Sequence, residues 1–218
     1  MNKFLYIIVY FFLMNCKSST LQNKSIASQE VVFYKQLPSK VVKKVFDNKL
    51  WITSWKNLDH NFNLNGFKKE FQKILDLKWF TYNETDLIIS EFAPLMIHSS
   101  QSSKFIDLYS HNIVLDTQGD NTYFSSDANT RVFIDDGHHN RTELVTTGSV
   151  DIIEDALWIN DEIVVLLGYE YLDNMVPFIW VFDIKEKIHV RYLSSQKITS
   201  SVNKKNFLTL KNPKFINE

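Results

Sequence analysis

The amino-acid sequence predicts a mainly β, α+β domain, with an antiparallel meander in its C-terminal part and one or two helices in its N-terminal part. Three observations carry that expectation. After Trp79 the chain breaks into short runs rich in Val, Ile, Phe, Trp and Tyr, set off by polar turns. No helical pattern long enough for a parallel crossover lies between those runs, so an antiparallel meander is expected. Of the 218 residues, 44% are hydrophobic, 14% aromatic and 22% charged. That supplies the apolar mass for a core and argues against wholesale disorder.

Residues 31–193 are expected to form a single β-rich domain, and residues 194–218 a polar C-terminal segment with room for one edge strand. In chain order, Ser39–Asp47 places Val41, Val42, Val45 and Phe46 on one helical face, although its β-branched content also suits a strand. From Asn65 onward, Phe67, Phe71, Ile74 and Leu75 recur at i, i+4, i+7 and i+8, with Lys68, Lys69, Gln72, Lys73 and Asp76 opposite. This spacing predicts an amphipathic helix of about 13 residues, capped by Asn63 or Asn65.

The strand runs follow: Leu87–Phe92, Leu95–His98, Lys104–Tyr109, Asn112–Asp116, Arg131–Asp135, Glu143–Thr147, Ala156–Asn160, Glu162–Gly168, Pro177–Asp183 and Lys187–Leu193. Gln118–Asn121, Asp135–Gly137 and Asp173–Asn174 supply turns. The last four runs resemble one blade of a β-propeller, and residues 104–147 a poorer second copy. Two blades close no propeller, and no residue-level repeat accompanies them. A mixed α+β domain or a sandwich of stacked meanders is therefore expected.

The amino terminus carries one charge, Lys3, ahead of the eleven-residue apolar run Phe4–Met14. A helix needs roughly 20 apolar residues to span a bilayer, so this run instead has the length of a secretory signal core. It ends at Leu13-Met14-Asn15-Cys16, and Cys16 is the only cysteine. Leu at −3 and Cys at +1 after a short apolar core resemble the lipobox of bacterial lipoproteins. Asn15 and Met14 depart from the commoner residues of that motif. The Lys-, Asn-, Ile- and Phe-rich composition is similar to proteins of Bacteroidota. The resemblance covers 16 of the 218 residues. It implies that residues 1–15 are a signal peptide, that Cys16 is lipidated, and that residues 16–30 form a flexible tether. It also implies an outer-membrane anchor facing the periplasm, since no acidic cluster follows Cys16. More than one acyl chain makes such an anchor stable.

A single cysteine excludes an intrachain disulfide and a cysteine-rich zinc site. The net charge of −1, from 21 Lys and 3 Arg against 25 acids, provides no polycationic face, so no nucleic-acid partner is expected. Five dispersed glycines leave no phosphate cradle, and there is no Gly-x-Ser-x-Gly elbow. Asp135-Asp136-Gly137-His138-His139 is the densest polar cluster. It reads as a turn rather than a metal site, because neighbouring strand residues diverge and Asp-Asp-Gly is turn sequence. Asp116–Asn121 lacks the spacing and terminal glutamate of a calcium loop. Glu154 and Asp155 are adjacent, so on a regular strand they cannot alone make an opposed carboxylate pair. Trp158 and Trp180 belong to the core. Trp51 and Trp55, four apart and on one face if the segment is a strand, are the candidate exposed aromatics for a ligand.

No catalytic set, cofactor or metal site emerges from these residues. The expected function is that of a membrane-anchored cell-envelope lipoprotein with a non-catalytic binding or accessory role. Its partners would be the membrane, through the lipid on Cys16, and an envelope protein or saccharide. The alternative is a small envelope hydrolase whose site is assembled from scattered residues such as Asp135, His138 and Glu154.

Overall fold

The computed structural model describes residues 36–82, 92–126, 129–199 and 204–217. The chain divides into two units at Phe33 and Tyr34, and the second is the subject here. The expected signal peptide, Cys16, the expected tether and residues 87–91 of the first expected strand lie outside the described residues.

Two helices come first: α1 (Ser39–Asp47) and α2 (Lys49–Lys56). α1 has the predicted bounds, burying Val41 and Val45 while Lys40, Lys43 and Lys44 face water. Its β-branched residues cost little helix propensity against that burial. Asn48 ends α1 and caps α2, its Oδ1 accepting from the Trp51 N–H at 3.1 Å.

The second predicted helix is corrected: Phe67–Ile74 is strand β1. Asn63 does cap, but only a single 3-10 turn, Leu64–Gly66, by accepting from the Asn65 N–H. β1 pairs along strand β12 (Ile188–Ser194), from Phe67 opposite Ser194 to Ile74 opposite Ile188. The ladder hydrogen bonds offered by that neighbour override the helical spacing. The register slips between Lys69 and Phe71, leaving Glu70 as a bulge. Phe67 and Phe71 would share one face of a regular strand. Across the bulge they enter opposite cores.

The remaining elements are β2 (Trp79–Thr81), β3 (Ile97–His98), β4 (Phe105–Asp107), β5 (Ile113–Gln118), β6 (Asn121–Ser126), β7 (Thr130–Asp135), β8 (Asn140–Thr147), β9 (Asp151–Asn160), β10 (Ile163–Tyr171), β11 (Asn174–Asp183), β13 (Ile198–Thr199), α3 (Phe207–Lys211) and β14 (Phe215–Asn217). The fold is mainly β, as expected, in three sheets. The largest has the order β1-β12-β11-β10-β9, with β13 beside β11; the others are β2-β8-β7-β4-β3 and β14-β6-β5. β9 to β12 form the antiparallel meander read from the sequence. Residues 104–147 are not a second copy of it, because β4, β7 and β8 join one sheet and β5 and β6 another. Among the described residues every pairing is antiparallel except that of β14 with β6. Gly119 and Gly137 supply the positive φ of two hairpin turns.

The large sheet is covered on both faces. Val164, Leu166, Phe178, Trp180 and Phe182 enter a core shared with β4, β7 and β8. Val165, Leu167, Ile179, Val190 and Tyr192 enter a second core beneath α1 and α2. Two-sided burial explains the near-continuous apolar runs of β10 and β11. Each fully buried large apolar side chain there contributes about 1.5–3 kcal/mol.

Candidate functional site

A second bulge builds the site. β9 pairs with β10, but Leu167 lies opposite Asp155 while Gly168 lies opposite Ile153. Glu154 is the extra residue. Gly168 suits this irregularity because a Cβ there would sit 2.2 Å from the Ile152 carbonyl oxygen and 2.7 Å from Phe178 Cζ. The bulge turns two successive carboxylates, which diverge on a regular strand, toward the helices. Glu154 Oε2 accepts from Trp51 Nε1 at 3.0 Å, and Asp155 Oδ2 accepts from Asn48 Nδ2 at 2.8 Å.

Each carboxylate also meets a lysine from the C-terminal segment. Lys204 Nζ pairs with Glu154 Oε1, and Lys211 Nζ lies 2.9 Å from Asp155 Oδ1. The Lys204 ammonium sits over the rings of Trp55 (4.8 Å) and Tyr169 (5.2 Å). Burial pushes the Glu154 carboxyl above its usual range, against the pull of Lys204 and of the Trp51 N–H. Burial likewise raises the phenols of Tyr109 and Tyr169.

The Glu154–Lys204 pair forms part of the wall of a cavity of about 850 Å³, together with Tyr109, Asp151, Tyr169 and Phe207. Leu108, Phe124 and Phe215 supply apolar surface. The volume falls in the range of small-molecule sites. The acids on its wall are matched inside the protein: Glu154 by Lys204, and Asp151 by Arg191 at 2.8 Å. The cavity thus presents aromatic and hydroxyl-bearing surface beside these two ion pairs. No protein-family model, curated protein or solved structure matches this chain.

The sequence-predicted site residues lie elsewhere or in other roles. Trp51 and Trp55 are corrected: both sit on α2, not on a strand, and both are 0% exposed. A spacing of four suits one helix face as well as one strand face, and the Asn48 cap decides for the helix. Their rings lie 6.2 Å apart and both pack on Phe62, leaving no open face for a ligand. Asp135, His138 and Glu154 do not converge. Asp135 accepts from the Tyr82 hydroxyl at 2.6 Å, His138 lies exposed on the turn after Gly137, and only Glu154 lines the cavity. The Asp135–His139 stretch is a turn, in which Asp135 Oδ1 accepts from the Gly137 N–H and Asp136 Oδ1 from the His138 N–H. Desolvation raises the Asp136 carboxyl, but hydrogen bonds from Asn140 and His138 outweigh it and hold the group below its usual range. Among the described residues no three His, Cys, Asp or Glu side chains are grouped to hold a metal. Lys204 and Lys211 carried no sequence signal; the two acids inside the otherwise apolar run of β9 did.

A second charged cluster surrounds Arg141. Its Nη1 lies 3.0 Å from Asp107 Oδ2 and 3.1 Å from His111 Nε2, a contact in which the neutral imidazole accepts. Burial pushes the His111 imidazole below its usual 6.5, aided by Arg141 and opposed by Asp107. A base held below its unfolded value binds its proton more readily in the unfolded chain, so stability falls as pH drops below about 6.5. His111→Gln is expected to flatten the loss of stability between about pH 7 and pH 5, a window set by the same unfolded value. Urea titrations at both pH values check this, and an unchanged slope would refute the assignment.

Proposed function

We propose that this protein is a membrane-anchored cell-envelope lipoprotein whose folded domain has a non-catalytic binding role. The lipidated end rests on the short apolar run and on Cys16 behind Leu13. The binding role rests on one observation: a cavity of about 850 Å³ whose two wall acids are each paired with a cation of the protein, Glu154 with Lys204 and Asp151 with Arg191. Acids already engaged by lysine or arginine are not left open to a bound substrate, while aromatic and hydroxyl groups on the same wall can grip one. The partner is a small molecule or a saccharide portion of the envelope.

Cys16→Ser is expected to abolish incorporation of labelled fatty acid and to release the protein from membranes. Unchanged labelling would refute the anchor. For the binding role, the protein is taken from its own envelope and examined by native mass spectrometry before and after denaturation. A co-purifying molecule recovered whole supports the reading, and recovery of cleaved product points to the hydrolase instead.

A further inference from the structure

We infer that Lys204 and Glu154 form a covalent cross-link, an amide joining Nζ of the C-terminal segment to Cδ on β9. This goes beyond the binding role and does not depend on it.

Three observations place the reacting groups. The two side chains are paired and nearly shut off from water, at 6% and 3% exposure. They are enclosed by aromatic surface, with the Trp55 and Tyr169 rings on Lys204 and the Trp51 indole on Glu154. The two carboxylate oxygens are differentiated: Oε1 faces Lys204, whereas Oε2 accepts from Trp51 Nε1 at 3.0 Å. That N–H stands where an oxyanion develops when an amine adds to the carboxyl carbon.

The step balances without an added reagent. A proton passes from Nζ to Oε1, turning the ion pair into an amine and a carboxylic acid, the form that is less costly to bury. The Nζ lone pair adds to Cδ, and the negative charge moves to Oε2 beside Trp51. Collapse expels Oε1, which takes the second amine proton and departs as water. One C–N bond forms and one C–O bond breaks, with no change of oxidation state. Held in contact, the two groups react as one molecule, which removes the entropic barrier of bringing them together.

The neighbouring pair is a built-in comparison. Lys211 is 33% exposed beside Asp155, so this pair lacks the enclosure of Lys204 and Glu154, and no cross-link is expected there. A cross-link at Lys204 closes the chain between positions 50 residues apart, in a protein whose single cysteine permits no intrachain disulfide.

The full chain, isolated from membranes and denatured, is digested with trypsin and mapped by mass spectrometry. A branched peptide joining Glu154 to Lys204, one water lighter than the sum of its linear parts and uncut after Lys204, is expected. Lys204→Arg should lose it. Glu154→Gln should give the same branched product, since the side-chain amide can release ammonia in place of water. Linear peptides carrying free Lys204 in the wild-type digest would overturn the inference, as would a branch at Lys211 instead. The wild-type digest decides by itself, whether or not a variant folds.

Discussion

Replacing Arg141 with methionine is expected to cost about 3–5 kcal/mol, the range for removing one member of a buried charge pair. The guanidinium is 8% exposed, its Nη1 3.0 Å from Asp107 Oδ2 and its Nε 3.5 Å from Asp135 Oδ2. Those carboxylates are 1% and 0% exposed. Methionine keeps much of the volume between the Tyr82 and Phe133 rings, each 5.4 Å from the guanidinium carbon, so packing loss is the smaller part. The larger part is two acids left without a cation. Local hydrogen bonds soften this: Asp107 accepts from the Tyr109 and Ser110 N–H groups, and Asp135 from Tyr82 and Gly137. Adding Asp107→Asn to Arg141→Met should therefore recover part of the loss, by removing one stranded charge while keeping those acceptor contacts. Chemical denaturation checks both variants. A loss below about 1 kcal/mol, the value of an exposed pair, would show that the cluster is solvated.

The three arginines divide by role. Arg131 pairs at the surface with Glu143, whereas Arg141 and Arg191 are buried among rings and acids. Arg191 lies over Phe178 and Trp180 and meets Glu70, Asp151 and Glu170 at 3.2, 2.8 and 3.1 Å. A planar, delocalised cation suits such stacked sites better than an ammonium. Two of the bulges, at Glu70 and at Glu154, serve the same end. Glu70, the extra residue of β1, reaches Arg191, and Glu154, the extra residue of β9, reaches Lys204. At these two places the extra residue breaks the alternation of the strand and delivers an acid to a buried cation.

That device also marks where the sequence is hard to read. The meander from β9 to β12 was legible because its apolar runs are long and its turns polar, and α1 because Val41 and Val45 recur at helical spacing. β1 was misread because a bulged strand that buries Phe67 on one side and Phe71 on the other imitates a helical period. Trp51 and Trp55 were misplaced because a spacing of four fits both periods. β6 sets Tyr123 and Phe124 among polar residues, β14 is only three residues long, and their parallel pairing joins positions almost a hundred apart, such as Thr122 and Phe215. The pairing of Glu154 with Lys204 is equally non-local, and only the acidic half of it stood out against its neighbours.

The Trp51→Ala exchange is expected to cost about 3–5 kcal/mol, as a buried aromatic deletion does. Two losses combine. The ring is 0% exposed and packs edge-on against Trp55 and Phe62, with centroids 6.2 and 5.6 Å away, so its removal opens a void beneath α2. Its Nε1–H is also the donor to Glu154 Oε2, and its loss strips a partner from that buried oxygen. Trp51→Phe separates the two: most of the ring remains and only the donor is lost, for about 1–3 kcal/mol. Trp79→Ala is the control, since Trp79 is 45% exposed on the edge strand β2 and should change stability by no more than about 0.5 kcal/mol. Thermal and urea unfolding followed by circular dichroism rank the three, avoiding a fluorescence signal that the exchanges themselves alter. If Trp51→Ala proved as mild as Trp79→Ala, the ring would have to stand open to solvent, and the stacking platform suggested by the sequence would return in place of the buried cluster.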